Sequence, residues 1–440
     1  MNILLENGGH NRLNVGDVVM TDVAATLLAA NDRVKKLRVI TSAPDAYQSS
    51  GIAGEPLGVK GKRLYLCEWN TLGPLRPLRK IVPLSTREKI SIAEEKFRRN
   101  HPSLATALIK SRFIARPNHA KQFNTFLDTV NDSDILCISG GGNLNDSFLD
   151  HAFAVLELAE IFLAQSKPVA FFSQGLGPAT NPRLCEKLKS VLPRCTLIGL
   201  RDNIVSTKLL NQLEIQGDHI KITGDDAIVA VNDFMDSNPQ ITSHSIGVNI
   251  RTARYAGMDQ QQASHISKMI AQAAADLNMP IQPVPISWQQ GGNDLDSISD
   301  AMDVDDHIFK EVANPLDPIS VIKLTARCKV VFTGSYHAAV FALAQGIPVI
   351  ALSTSEYYDT KFLGLLNQFG NIGLTLVRPA EVHTPQEARL VLTQAIENAP
   401  QNKAALIEHA KTQSNASKAL YQSLWDAIDQ TIPATHSNTH

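Results

Sequence analysis

Short apolar strands alternate with amphipathic helices along most of the chain. Ile3–Asn7 predicts a strand. After a polar loop comes Gly16–Ala30, whose Val19/Val23/Leu27 and Met20/Ala24/Leu28 rows recur at helical spacing and mark one helical face. Lys36–Ser42 predicts the next strand. Asp134–Ser139, Pro168–Gln174, Thr196–Leu200 and Ile220–Ile222 predict four more, with a helix over Phe148–Gln165 and others between them. Strands that are apolar on both faces and separated by helices imply a parallel sheet covered on both sides.

The alternation breaks across the polar stretch Asp233–His244 and then restarts. Ser245–Ile250 and Ile281–Ile286 predict strands, and Gln261–Asp276 and Ile319–Ala326 predict helices. Val330–Leu352 then reads as strand, polar turn, apolar helix, Gly stop and strand. Glu387–Glu397 and Lys403–Gln430 predict two last helices, the second with a Leu420/Leu424/Ile428 stripe that packs on a domain. The predicted fold class is α/β. It comprises two doubly wound, Rossmann-like domains, 1–238 and 245–430, that face a cleft, followed by a flexible tail, 431–440. This arrangement resembles the glycosyltransferase B architecture, in which ligands bind at the carboxyl ends of the strands and so in the cleft.

Composition narrows the class. Apolar residues make up 44% of the 440 residues and the net charge is −2, so there is no whole-chain bias toward nucleic acid. No recognised nucleic-acid module is present either. No apolar run reaches the roughly 18 residues that span a bilayer. Met1–Asn7 reads as a strand and lacks the features of a signal peptide. The five cysteines (Cys67, Cys137, Cys185, Cys195 and Cys328) form no CxxC pair and suit a reducing compartment, so a cytoplasmic location is predicted. No His/Cys/Asp cluster has metal-ligand spacing, so no metal is predicted. Charge is uneven: residues 60–121, an insert of the first domain, hold fifteen Lys/Arg against four Glu. Such an excess predicts a solvated basic face, contact with an anionic membrane surface at the inner face of the plasma membrane, or contact with an anionic acceptor.

Candidate chemistry sits at the strand-to-helix turns. His337, where the polar turn becomes the helix, either caps that helix or holds an anion and moves a proton beside backbone N–H groups. Asp17, after Asn14 and Gly16, is either a cap or a ligand-facing carboxylate. Gly140, Gly141 and Gly142, before Asn143, expose consecutive N–H groups, and Gln174-Gly175 opens another glycine turn. Arg201, Asn249 and Arg251 end further strands, although Arg201 has Asp202 beside it as an alternative partner. Arginines at several strand ends suit a doubly charged anion.

Together, these turns resemble the polysaccharide pyruvyl transferase family. The resemblance rests on Asn14-x-Gly16-Asp17, Gly140-Gly141-Gly142, Gln174-Gly175-x-Gly177-Pro178, Arg201-Asp202 with Ser206, Gly224-Asp225-Asp226, Gly247-Val248-Asn249, Tyr336-His337-Ala338 with Gly346-Ile347-Pro348, and Tyr358-Asp359-x-Lys361. It covers roughly residues 1–375. It implies transfer of the enolpyruvyl unit of phosphoenolpyruvate to a sugar of a cell-surface glycan or its lipid-linked precursor, usually as a cyclic ketal, with no cofactor beyond the donor substrate. It also implies His337 as general acid or phosphate-steadying group. Asp17 is the candidate for orienting or deprotonating the acceptor, and Ser335, Tyr336 and Lys361 join the binding set. The family usually has an arginine directly before the aromatic-His pair; here that position is Ser335, and Arg201, Arg251, Arg254 or Lys361 are the residues that could compensate. A glycosyltransferase using a nucleotide-sugar and a non-catalytic glycan-binding homologue are the alternatives.

Overall fold

A computed structural model describes residues 1–7, 10–66, 77, 78, 80–238, 241–251, 258–290, 292–299 and 317–431. In the first half, β1 (Asn2–Glu6), β2 (Lys36–Thr41), β3 (Glu55–Gly58), β4 (Ile135–Ile138), β5 (Gly141–Leu144), β6 (Val169–Leu176), β7 (Leu197–Leu200) and β8 (Ile220–Ile222) make one parallel sheet. Its order is β3-β2-β1-β4-β6-β7-β8, with β5 paired to β6. In the second half, β9 (Ser245–Asn249), β10 (Ile281–Pro283), β13 (Cys328–Thr333), β14 (Val349–Leu352) and β15 (Leu374–Val377) form a second parallel sheet ordered β10-β9-β13-β14-β15. A small antiparallel ribbon joins β11 (Trp288–Gln289) to β12 (Gly292–Asn293). Every residue of β4, β6, β7, β9 and β14 is buried. That is the burial a parallel sheet covered by helices requires.

The helix Val15–Ala29 carries apolar residues around most of its circumference because it lies between two partners. Ala24, Ala25 and Leu28 pack with Ile3, Leu5 and Phe172 of the first sheet. Val15, Val19 and Val23 join a cluster with the helix Ala227–Ser237, the helix Pro318–Ala326 and the fully buried helix Tyr336–Ala344. The single face predicted for this segment is therefore two faces, one for each half of the molecule. The two sheets share a core and meet through it.

The last helix differs from its prediction. One helix, Pro385–Thr431, runs through Pro400 where two were expected. An internal proline costs roughly 3 kcal/mol, and burial on both sides of it offsets that cost. Ala388 and Leu392 sit against the second sheet, and Leu406 and Ala410 lie in the shared cluster. Leu420, Tyr421, Leu424, Trp425 and Ile428 lie against the first sheet. The Tyr421 ring stacks on Phe172 at 3.9 Å, and the Tyr421 hydroxyl and Ser417 Oγ each donate to the buried Asp226 at 2.7 Å. The last helix thus spans both halves, and its C-terminal turns pack on the first sheet. The stripe was legible in sequence, but its partner, the first sheet, was not.

Between β3 and β4 the basic insert folds as the helices Val59–Leu66, Leu84–Asn100, Pro102–Ser111 and Pro117–Asp132. Its Arg76 and Arg79, Cys67, and the predicted tail from residue 432 lie outside the described residues. Among the described residues no helix is long and apolar enough to cross a membrane.

Candidate active site

Two helix starts meet at the junction of the halves. Asn14 caps the first: its Oδ1 accepts from the N–H groups of Gly16 at 3.0 Å and Asp17 at 3.3 Å. Val15 N–H donates to Ile286 O at 2.8 Å and Trp288 N–H to Leu13 O at 2.9 Å, so that helix start is fixed to the second half. The second start follows β13, with Ser335 as its N-cap residue. The His337 ring lies against Gly16, where a Cβ would stand 1.9 Å from Nδ1 of the imidazole. Glycine is required there by close approach. The positive ends of both helix dipoles thus face one space, which favours an anion. Gly16→Ala is expected to push the imidazole aside and cut turnover by about a hundredfold, the scale of a displacement near 1 Å. Steady-state kinetics beside an unchanged circular dichroism spectrum would check it.

That space is a cavity of about 220 Å³. Asn14, Asp17, Gly142, Asn143, Arg201, Arg251, Ser335, Tyr336, His337 and Lys361 all line it, joined by Phe148, His151, Gln289, Tyr357 and Tyr358. Arg201 lies over the Tyr336 ring at 4.3 Å, with Nη1 3.6 Å from Asp225 Oδ2. Lys361 Nζ sits over the Tyr357 ring at 4.2 Å. His337 is 9% exposed, and its Nε2 is buried with no hydrogen-bond partner among the described residues. The nearest carboxylate oxygen recorded for it is Asp225 Oδ2, at 3.8 Å.

The charges strain one another. Burial and then Arg201, Lys361 and Arg251 hold the His337 imidazole well below its usual range, so it is neutral. Burial, with Arg201 and Arg251, pulls Lys361 down as well. Burial raises Asp17 and Asp225 despite the nearby cations. Arg201, Arg251 and Lys361 thus share one cavity wall, an arrangement that suits a dianion.

Several predicted site residues do other work. Gln174 Nε2 donates to the carbonyls of Ser139 at 2.6 Å and Phe172 at 3.2 Å. Asn249 Nδ2 donates to Val284 O at 2.9 Å and Asp294 Oδ2 at 2.8 Å. Both side chains are buried and absent from the cavity wall, because orphaned backbone and carboxylate groups take their amides. Gly141 and Gly142 open the short strand β5 and do not form a free turn. A Cβ at Gly140 would meet Met20 Sδ at 2.8 Å, which makes that glycine a packing residue. At Gly142 and Gly175 a Cβ would come within 2.5 Å of the Arg201 guanidinium. These two glycines make room for an arginine, and Gly142 also lines the cavity. The Asp202 carboxylate serves the start of the helix Val205–Gln212, accepting from Val205 N–H at 2.7 Å and Ser206 N–H at 3.0 Å, and it also adds to the charge that holds Arg201 protonated. Arg254 lies outside the described residues.

Sequence reasoning missed Asp225, whose Oδ2 lies 3.6 Å from Arg201 and 3.8 Å from His337, although the run Gly224-Asp225-Asp226 marked its position. It also missed a cluster at the carboxyl end of β1. Glu6, His10 and His151 bring their donor atoms within 4.8 Å of one another, a proximity that their sequence spacing conceals and that qualifies the no-metal prediction. Glu6 Oε1 already lies 2.6 Å from both Lys62 Nζ and His10 Nε2. Burial would raise the Glu6 carboxyl, but Lys62 and His10 bring it down to about 2. A neighbouring ammonium that neutralises the carboxylate weakens this cluster as a cation site.

Two parallel-sheet domains whose strand ends and helix starts converge on one cation-rich cavity define a protein of the glycosyltransferase B fold class. Solved structures share that fold. UDP-GlcNAc 2-epimerase from Neisseria meningitidis, bound to UDP-GlcNAc, is 14% identical with a TM-score of 0.54, over 97% of this chain and 100% of that one. Arabidopsis thaliana UGT89C1 complexed with UDP is 9% identical with a TM-score of 0.50, over 96% of this chain and 99% of that one. No curated protein matches the chain. The polysaccharide pyruvyl transferase profile matches residues 14–356, and the chain belongs to that family.

Proposed function

We propose that this chain transfers the pyruvyl unit of phosphoenolpyruvate to a sugar of a cell-surface polysaccharide, such as an exopolysaccharide, or of its lipid-linked precursor, in the cytoplasm, and closes a pyruvate ketal across two hydroxyls. The carrying observation is the unpartnered Nε2 of His337 in a cavity that Arg201, Arg251 and Lys361 also line. Phosphoenolpyruvate presents a carboxylate and a phosphate, which match those cations. One acceptor hydroxyl oxygen adds to the second carbon of the donor as the methylene carbon takes a proton. The carbon–oxygen bond to phosphate breaks, and the second hydroxyl closes the ketal. Of the two hydroxyl protons, one is balanced by the new methyl group and the other by the released phosphate.

In this scheme His337 is the general acid. A bound dianion offsets the cations that hold its pKa down, so the imidazole gains its proton when the donor is present. Asp17 orients the acceptor or takes its proton. Arg201, Arg251 and Lys361 supply the charge that Ser335 lacks, and no metal or further cofactor enters the scheme.

Transfer from a nucleotide-sugar is the second reading, because the fold is shared with proteins solved with UDP-GlcNAc or UDP. The cavity of about 220 Å³ argues against it, being smaller than the ~300–1,000 Å³ of sites that enclose drug-sized ligands. A thermal-shift panel with phosphoenolpyruvate, UDP, GDP and CMP separates the readings. Phosphoenolpyruvate alone is expected to stabilise the protein, by about 2.7 kcal/mol at a hundredfold excess over Kd. Stabilisation by a nucleotide alone would replace this reading with the second, and a flat panel would leave a non-catalytic glycan-binding homologue.

A further inference from the structure

We propose that the helices Leu84–Asn100 and Pro102–Ser111 dock the protein on the surface of an anionic lipid bilayer. The two helices pack on one another, away from the candidate active site. Exposed large aliphatic side chains concentrate around them. Of twelve among the described residues, seven lie between 78 and 114: Leu78, Ile81, Leu84, Ile92, Leu104, Leu108 and Ile114. Leu84 is 80% exposed and Ile114 is 86% exposed.

Helical geometry sorts these residues by face. In Leu84–Asn100 the inner row is Ser91, Glu94 and Arg98, tied down by the pairing of Arg98 with Glu157 at 2.8 Å. The opposite row, at i, i+3 and i+7 spacing, is Lys89, Ile92 and Lys96, all exposed, while Arg99 turns inward to pair with Glu160 at 3.5 Å. In Pro102–Ser111 the inner residues are Ala105 and Ile109, and Leu104 and Leu108 form the exposed row beside them, about 100° round the helix. Acid is nearly absent from the outer surface. Glu94 is buried, Glu95 pairs with Arg183 and Lys187, and Glu88 is exposed.

Isolated leucines and isoleucines set among lysines and arginines match the boundary between headgroups and acyl chains, where aliphatic tips insert and cations meet lipid phosphates. A second copy of this chain fits poorly, because a two-fold interface would press one basic face on another. Nucleic acid fits poorly too, since the protruding groups are aliphatic and offer no stacking surface. The inference goes beyond the donor chemistry and is tested without it.

The full-length protein is floated with vesicles of phosphatidylcholine alone, or of phosphatidylcholine mixed with phosphatidylglycerol, at low and high salt. It is expected to float with the anionic vesicles at low salt only. K89E/K96E is expected to cut the bound fraction about tenfold or more, from the ~1 kcal/mol that each basic residue contributes near such a surface. I92S/L108S is expected to weaken binding while leaving its salt dependence in place. Both variants should keep the wild-type melting shift with phosphoenolpyruvate, so loss of that shift in the wild type would count against the proposed reaction and not against docking. Failure to float with anionic vesicles at low salt would overturn the proposal. So would binding that neither variant weakens, or self-association in sedimentation velocity that I92S/L108S abolishes.

Discussion

Replacing His337 with glutamine is expected to lower pyruvyl transfer by about two to four orders of magnitude, the range a positioned general acid supplies. Folding should survive, because the residue is small-neighboured on one side only: Gly16 receives the ring, and Nε2 faces the cavity unpartnered. Glutamine keeps a polar end in that place and cannot deliver a proton. Near-normal turnover in this variant would remove His337 from the reaction. Normal melting behaviour with lost turnover would keep it there.

The same residue predicts a proton signature. Burial and three cations keep the free imidazole neutral, and a dianion beside it reverses the cationic part of that effect. Phosphoenolpyruvate binding near neutral pH is therefore expected to take up to about one proton from solution. Calorimetry in buffers of different ionisation enthalpy reads this directly, and the uptake should shrink in His337→Gln. The sign for the ligand-free protein is the opposite. The folded-state pKa lies below the unfolded one, so the unfolded chain binds the extra proton. Stability is then lost as pH falls below the ordinary histidine value of 6.5, and the glutamine variant should lack that portion of the slope.

Much of this was legible in the sequence, and the misses have a common cause. Period and burial pattern gave both parallel sheets, because strands covered on two faces must read as apolar runs. The strand-end rule pointed to Asp17, Arg201, Arg251 and His337, the family resemblance added Ser335, and all of them line one cavity. What failed was the assignment of work to groups whose type suits many tasks. Gln174 and Asn249 carry ligand-competent amides, yet neighbouring buried carbonyls and Asp294 claim them. Gly142 and Gly175 read as parts of two glycine turns, and a guanidinium lies against both. Long-range partners were invisible in the same way. Nothing local says that Tyr421 stacks on Phe172, or that residues as distant as Glu6 and His151 become neighbours.

Arg201 carries the second large prediction, because it serves the fold and the donor at once. It is 4% exposed, its guanidinium lies over Tyr336, and its Nη1 stands 3.6 Å from Asp225 Oδ2. Arg201→Ala leaves that carboxyl buried without its cation, which is expected to cost about 3–5 kcal/mol near neutral pH. Burial already raises Asp225 above its ordinary 3.8, and Arg201 is the main group opposing the rise. Without Arg201 the folded pKa climbs further, so the deficit should grow as pH rises from about 4 and shrink as acid protonates the carboxyl. Adding Asp225→Asn should return most of the stability in urea unfolding at pH 7 by removing the stranded charge. It should not return the melting shift with phosphoenolpyruvate, because the lost guanidinium is still missing from the cavity wall. If the double variant regained both, Arg201 would be a structural counter-ion for Asp225 and the donor anion would have to rest on Arg251 and Lys361 alone.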